Sequence, residues 1–159
     1  LKIEENFMKK IHAAALGLSV LLSTPALAHI SVWPQQSTVG VIEKYTLRVP
    51  TEGKLNAIGV ELDVPEGVEF GVVASPVNYK YEVKKVDGKI TNVVWTINVP
   101  PGEFIELSFL ARNPGGTAKE IVWPTRVRLS DGSVVDMLKD KQGNIRKPVV
   151  VKLNPLPAE

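Results

Sequence analysis

The chain has 159 residues, with 19 Lys and Arg against 17 Asp and Glu, two His and no Cys. Balanced charge without a basic stripe interleaved with aromatics excludes nucleic acid as an expected partner. The absence of cysteine removes disulfides, thiolate ligands and thiol nucleophiles from consideration.

In chain order, Leu1 to Phe7 read as an extension ahead of a start at Met8. Residues 8–28 read as a signal peptide: Met8-Lys9-Lys10 is a positive start, Ala13 to Leu22 an apolar run, and Ala26-Leu27-Ala28 an A-x-A cleavage signal. The apolar run is shorter than the roughly 20 residues of a membrane span, and nothing later in the sequence resembles one. The expected mature chain is therefore extracytoplasmic (periplasmic, cell-surface or secreted) and starts at His29. Losing Lys2, Lys9, Lys10, Glu4 and Glu5 leaves it 16 cations and 15 carboxylates over 131 residues, a length that fits one domain.

From His29 onward the apolar period is two. Tyr45-x-Leu47-x-Val49, Val60-x-Leu62-x-Val64, Tyr79-x-Tyr81-x-Val83, Val93-x-Trp95-x-Ile97-x-Val99, Ile105-x-Leu107-x-Phe109, Val127-x-Leu129 and Val149-x-Val151-x-Leu153 each predict a strand with one apolar face. Val86-Asp87-Gly88-Lys89 and Ser130-Asp131-Gly132-Ser133 predict two-residue hairpin turns. No stretch carries a 3.6-residue period. Seven or eight such strands predict an all-β fold, an antiparallel immunoglobulin- or fibronectin-like β-sandwich over residues 29–153. Residues 154–159, which include Pro155 and Pro157, are expected to form a loose tail.

A first-position histidine has unusual coordination chemistry. Its α-amine and Nδ1 close a six-membered chelate on one metal ion. His12 leaves with the signal peptide, so His29 is the remaining histidine. A hairpin pairing Val32-Trp33-Pro34 with Val41 to Val49, turning near Ser37 or Thr38, places His29 beside Leu47 to Val49, with Glu52 just past the same edge. Two nitrogens and a carboxylate oxygen suit Cu(II), which tops the divalent affinity order for such donors. Zinc normally takes three or four ligands from Cys, His and carboxylate, and the expected mature chain offers one His and no Cys. A second imidazole for an oxygen-activating site and a histidine for a Ser-His-Asp triad are both lacking, so no enzymatic activity is expected.

His29-Ile30-Ser31-Val32-x-Pro34, Gly40, Tyr45-Thr46-Leu47-Arg48-Val49-Pro50-Thr51-Glu52, Val64-Pro65-Glu66-Gly67-Val68 and Asp131-Gly132-Ser133-Val134-Val135 together resemble the YcnI-like copper-binding domain family. The resemblance spans nearly all of His29 to Lys139. It implies an exported immunoglobulin-like sandwich holding Cu(II) in a one-histidine brace, with the amine and imidazole of His29 joined by Glu52 and capped by a tryptophan. Where the family pattern has that tryptophan, this chain has Asp136-Met137, making Met137 the positional counterpart. A thioether is a soft ligand and favours Cu(I). Trp33, Trp123 and Asp136 are the other candidates near the metal. The implied role is an exported copper carrier or chaperone that passes the ion to a membrane or surface acceptor protein. The alternative is an extracytoplasmic interaction or adhesion module in which the N-terminal histidine has no metal role.

Overall fold

The computed structural model describes residues 29–51, 53–140 and 142–157. The extension, the signal segment and Glu52 lie outside the described residues. Alternation of apolar and polar side chains builds strands in three groups. The first sheet has the order β1-β3-β8-β5, with β1 at Ser31–Trp33, β3 at Ile42–Pro50, β8 at Phe104–Arg112 and β5 at Glu69–Val73. The second has the order β11-β10-β4-β7-β6, with β11 at Val134–Asp136, β10 at Thr125–Leu129, β4 at Ala57–Asp63, β7 at Lys89–Val99 and β6 at Lys80–Val86. A smaller sheet has the order β2-β12-β9, with β2 at Gln36–Thr38, β12 at Val150–Asn154 and β9 at Glu120–Val122. Among the described residues no helix is long and apolar enough to cross a membrane.

The sandwich expected from periodicity is present, with eight strands of five residues or more. Four further pieces of three residues (β1, β2, β9 and β11) are too short to display a period. β5 also escapes the pattern. It buries Phe70 and is bulged between Phe70 and Val72. A Cβ on the intervening Gly71 would stand 3.1 Å from the Leu110 carbonyl oxygen, so the glycine permits this close strand approach.

Three local expectations need correction. Val86-Asp87-Gly88-Lys89 is the expected two-residue turn, with φ positive at Asp87 and Gly88. Ser130-Asp131-Gly132 instead forms a three-residue loop, in which the amide of Gly132 donates to the Leu129 carbonyl and that of Leu129 to Ser133. Asp131 Oδ1 accepts from both the amide and the hydroxyl of Ser133, and Gly132 alone takes positive φ. The chain between β1 and β3 is not a tight hairpin turn. It detours through β2, which pairs in parallel with β12, a departure from an all-antiparallel arrangement. That pairing reaches Asn154, whose carbonyl accepts from the Val39 amide, so the last strand runs one residue into the expected tail.

The inward faces share one core. Phe109 sits at its centre, with ring centroids 4.8 Å from Phe70, 5.1 Å from Trp123, 5.8 Å from Tyr45 and 6.4 Å from Trp95. The Tyr45 hydroxyl donates to Asn113 Oδ1 at 2.6 Å, and Asn113 Nδ2 donates to Ser37 Oγ and the Thr38 carbonyl. This buried network ties the β2 detour to the main sandwich, and burial pushes the Tyr45 hydroxyl up to about 12.

On the outer face of the second sheet, Arg126 bridges Glu61 at 3.1 Å and Asp63 at 2.8 Å, while Asn92 Nδ2 donates to both carboxylates. Hydrogen bonding from Arg126 holds both carboxyls below their ordinary values of 4.5 and 3.8. A depressed folded-state value means that the stabilisation is present above the ordinary range and is lost as pH falls towards the folded-state values. Partial exposure of all three side chains keeps the contribution small. In denaturant titrations between pH 7 and 3, Arg126→Met is expected to lose less stability on acidification than the native chain. Equal acid limbs would show that the cluster is inert.

Candidate metal centre

The register of β1 on β3 pairs Ser31 with Arg48, Val32 with Leu47 and Trp33 with Thr46. Continued outward, the same register leads Ile30 toward Val49 and His29 toward Pro50, one residue past the Leu47 to Val49 stretch beside which the sequence placed His29. Ile30 is buried, while His29 is exposed at the wall of an open-sided cleft of about 700 Å³ at one end of the sandwich. Pro50 and Thr51 close the β3 side of this cleft. Ala57 comes from the start of β4, Val127 and Leu129 from β10, and Val135 from β11. Asp140, Gln142, Arg146, Lys147 and Pro148 supply the outer rim.

Met137 lines the same cleft as His29. Strand alternation explains this: successive residues point to opposite faces, so Val135 and Met137 face the cleft. Asp136 faces away, accepting from the Leu138 amide at 2.8 Å. The Met137 amide donates to the Thr125 carbonyl at 2.8 Å, fixing this segment against β10. Residues from both main sheets thus bring an imidazole and a thioether to one opening. Met137 is the single methionine after residue 28.

Neither tryptophan candidate lines the cleft. Trp33 is 42% exposed on the outer sheet face, with the Arg48 guanidinium 5.2 Å from its ring centroid. Trp123 is fully buried, its ring 5.1 Å from both Tyr45 and Phe109. Among the described residues, no group of three or more His, Cys, Asp or Glu side chains is placed to hold a metal ion. His29 and Met137 remain as a borderline and a soft donor at the same opening, a pair suited to copper rather than to hard, oxygen-loving cations.

Sequence reasoning passed over Thr51, Asp140, Arg146 and Lys147. The Thr51 hydroxyl is buried, with no hydrogen-bond partner among the described residues. Asp140 Oδ1 accepts from the amides of Gln142 and Asn144, and its Oδ2 accepts from Asn144 Nδ2. The Asn144 hydrogen bonds hold this carboxyl below the usual aspartate range. Arg146 donates from Nε to the Lys139 carbonyl at 3.0 Å and from its amide to Leu138 at 2.7 Å. Asp140, Gln142, Arg146 and Lys147 reach the cleft beside His29 only through packing between segments far apart in sequence.

The architecture defines an immunoglobulin-like β-sandwich. A Nocardia farcinica protein described as revealing an immunoglobulin-like fold superposes with a TM-score of 0.65 at 22% identity, over 81% of this chain and 99% of that one. A cohesin module from the Clostridium perfringens family 33 glycoside hydrolase superposes with a TM-score of 0.50 at 18% identity, over 79% and 94% of the two chains. No family model matches the chain. In sequence it is 33% identical over 134 residues to the copper-binding protein CutI of Bacillus subtilis (strain 168), which covers 82% of this chain and 65% of CutI. This relative, of whose length the chain spans 65%, supports the resemblance to the YcnI-like family that the motifs carry.

Proposed function

We propose that this is an exported, non-enzymatic copper carrier that loads its ion at the cleft beside His29. The observation that carries the reading is the meeting of His29 and Met137 on one open cleft. Similarity to a protein named for copper binding supports the choice of metal. Cleavage after Ala28 frees the α-amine of His29, which then chelates together with Nδ1. Glu52, next in sequence to the cleft residue Thr51, supplies the carboxylate for Cu(II). Met137 offers a thioether that retains Cu(I).

These donors serve a carrier better than an oxidase. An open cleft lets an acceptor protein at the membrane or cell surface approach the cargo, and no second imidazole is available for activating oxygen. Export keeps the free N-terminus outside the cytoplasm.

Copper titration of the processed protein, with its first residue fixed by intact mass, tests the reading. One equivalent each of Cu(II) and Cu(I) is expected to bind. Met137→Leu, a substitution of similar volume, is expected to lower Cu(I) affinity at least about tenfold, or roughly 1.4 kcal/mol, with little change for Cu(II). A first residue other than His29, or failure to bind either ion, sinks the proposal.

A further inference from the structure

The cleft is shaped for more than an ion. Its volume of about 700 Å³ lies within the roughly 300–1,000 Å³ of small-molecule sites, whereas one water occupies only about 30 Å³ of liquid. Its floor is apolar, built from Ile30, Pro50, Val127, Leu129 and Val135, with Met137 at its edge. A bare ion gains nothing from such a floor.

Its charges are also wrong for an unaccompanied cation. Arg146 and Lys147 stand on the rim, and neither joins an ion pair among the described residues. Asp140 is the carboxylate lining the same cleft among the described residues, and its oxygens already accept three hydrogen bonds within its own turn. Like charges brought together in a partly desolvated cleft oppose binding. Even with the Glu52 carboxylate proposed above as a ligand, a guanidinium and an ammonium at the rim disfavour a divalent cation unless a further anion comes with it. The guanidinium is held by the Nε bond to the Lys139 carbonyl, which orients its planar fork, and such a fork is matched to carboxylate geometry.

We propose that this cleft takes copper together with a small organic carboxylate, as a ternary complex. The carboxylate faces Arg146 and Lys147, its apolar part lies on the floor, and one of its donors fills a copper position left open by the protein. The inference rests on the copper reading above and names the form in which the cargo is held.

Salicylate is a suitable probe, joining an apolar ring to a carboxylate and a phenolate that chelate Cu(II) together. The processed protein is first titrated with Cu(II) alone and then, copper-loaded, with salicylate, following heat and the copper paramagnetic resonance spectrum. Salicylate is expected to bind the loaded protein with a shifted spectrum and copper retained. The Arg146→Gln/Lys147→Gln double variant should bind salicylate at least about tenfold more weakly while binding Cu(II) alone at least as tightly, because the repelling charges are gone. Salicylamide keeps the ring but lacks the carboxylate, so it should bind the native protein at least about tenfold more weakly, a comparison independent of how the variant folds. Equal affinity of native and variant protein, equal affinity for the two probes, or removal of copper into solution by salicylate overturns the ternary site. Failure of the first titration removes the copper reading itself, and this inference with it.

Discussion

Acetylating the α-amine of the processed protein is expected to weaken Cu(II) binding by about two orders of magnitude or more, roughly 3 kcal/mol. The imidazole, the cleft and the sandwich are untouched by this change. The amine nitrogen, however, becomes an amide that no longer offers a lone pair at neutral pH. The chelate gains its strength because the second nitrogen binds at a high effective concentration once the first is bound. Removing it leaves a single imidazole donor with whatever weaker ligands lie nearby. Selective acetylation is practical because an α-amine titrates about two units below a lysine ammonium in model peptides. Intact mass then verifies a single addition. Thermal stability of the metal-free protein should hardly move, since His29 is exposed and precedes the first strand. Identical copper titrations before and after acetylation would show that His29 is no brace and would favour an interaction module without a metal role.

Phe109→Ala is expected to destabilise the fold by about 3–5 kcal/mol, the usual cost of truncating a buried aromatic to alanine. The site makes a value near the top of that range reasonable. Phe109 is 1% exposed and its ring packs against Phe70, Trp123, Tyr45 and Trp95, drawn from β5, the β9–β10 connection, β3 and β7. A void there is bordered by rings held in two sheets and cannot collapse without moving both. Against a typical total of about 5–15 kcal/mol, the loss should lower the melting temperature by about 10–20 °C. Phe104→Ala is the control: Phe104 belongs to the same strand but is 64% exposed, so its truncation should cost within about 0.5 kcal/mol. Circular dichroism melts of the two variants decide the matter, and similar melting temperatures would refute a central role for Phe109.

The long strands were legible because burial on one face of a sheet imposes a period of two, and Tyr45-x-Leu47-x-Val49 and Val93-x-Trp95-x-Ile97-x-Val99 carry it over several residues. The Asp87-Gly88 turn was legible because positive φ at both positions is a local demand. The A-x-A pattern ahead of His29, from which cleavage is expected, and the family motifs are likewise properties of neighbouring residues. The short strands were not legible, since three residues hold no period. The loop at Asp131 was misread because the Asp131 side chain capping Ser133 decides between two turns that share the same residues. Most of the candidate site belongs to tertiary structure. The family pattern pointed to Met137, with Trp33, Trp123 and Asp136 as other candidates near the metal, and of these four only Met137 lines the cleft. Strand alternation turns Asp136 away, the core takes Trp123, and β1 sets Trp33 on the outer face. Arg146 and Lys147 stand more than a hundred residues from His29 and line the same cleft only because the chain packs back against that end of the sandwich. Local rules fix strands and turns, whereas the sign of the field in a cleft is set by residues that only packing brings together.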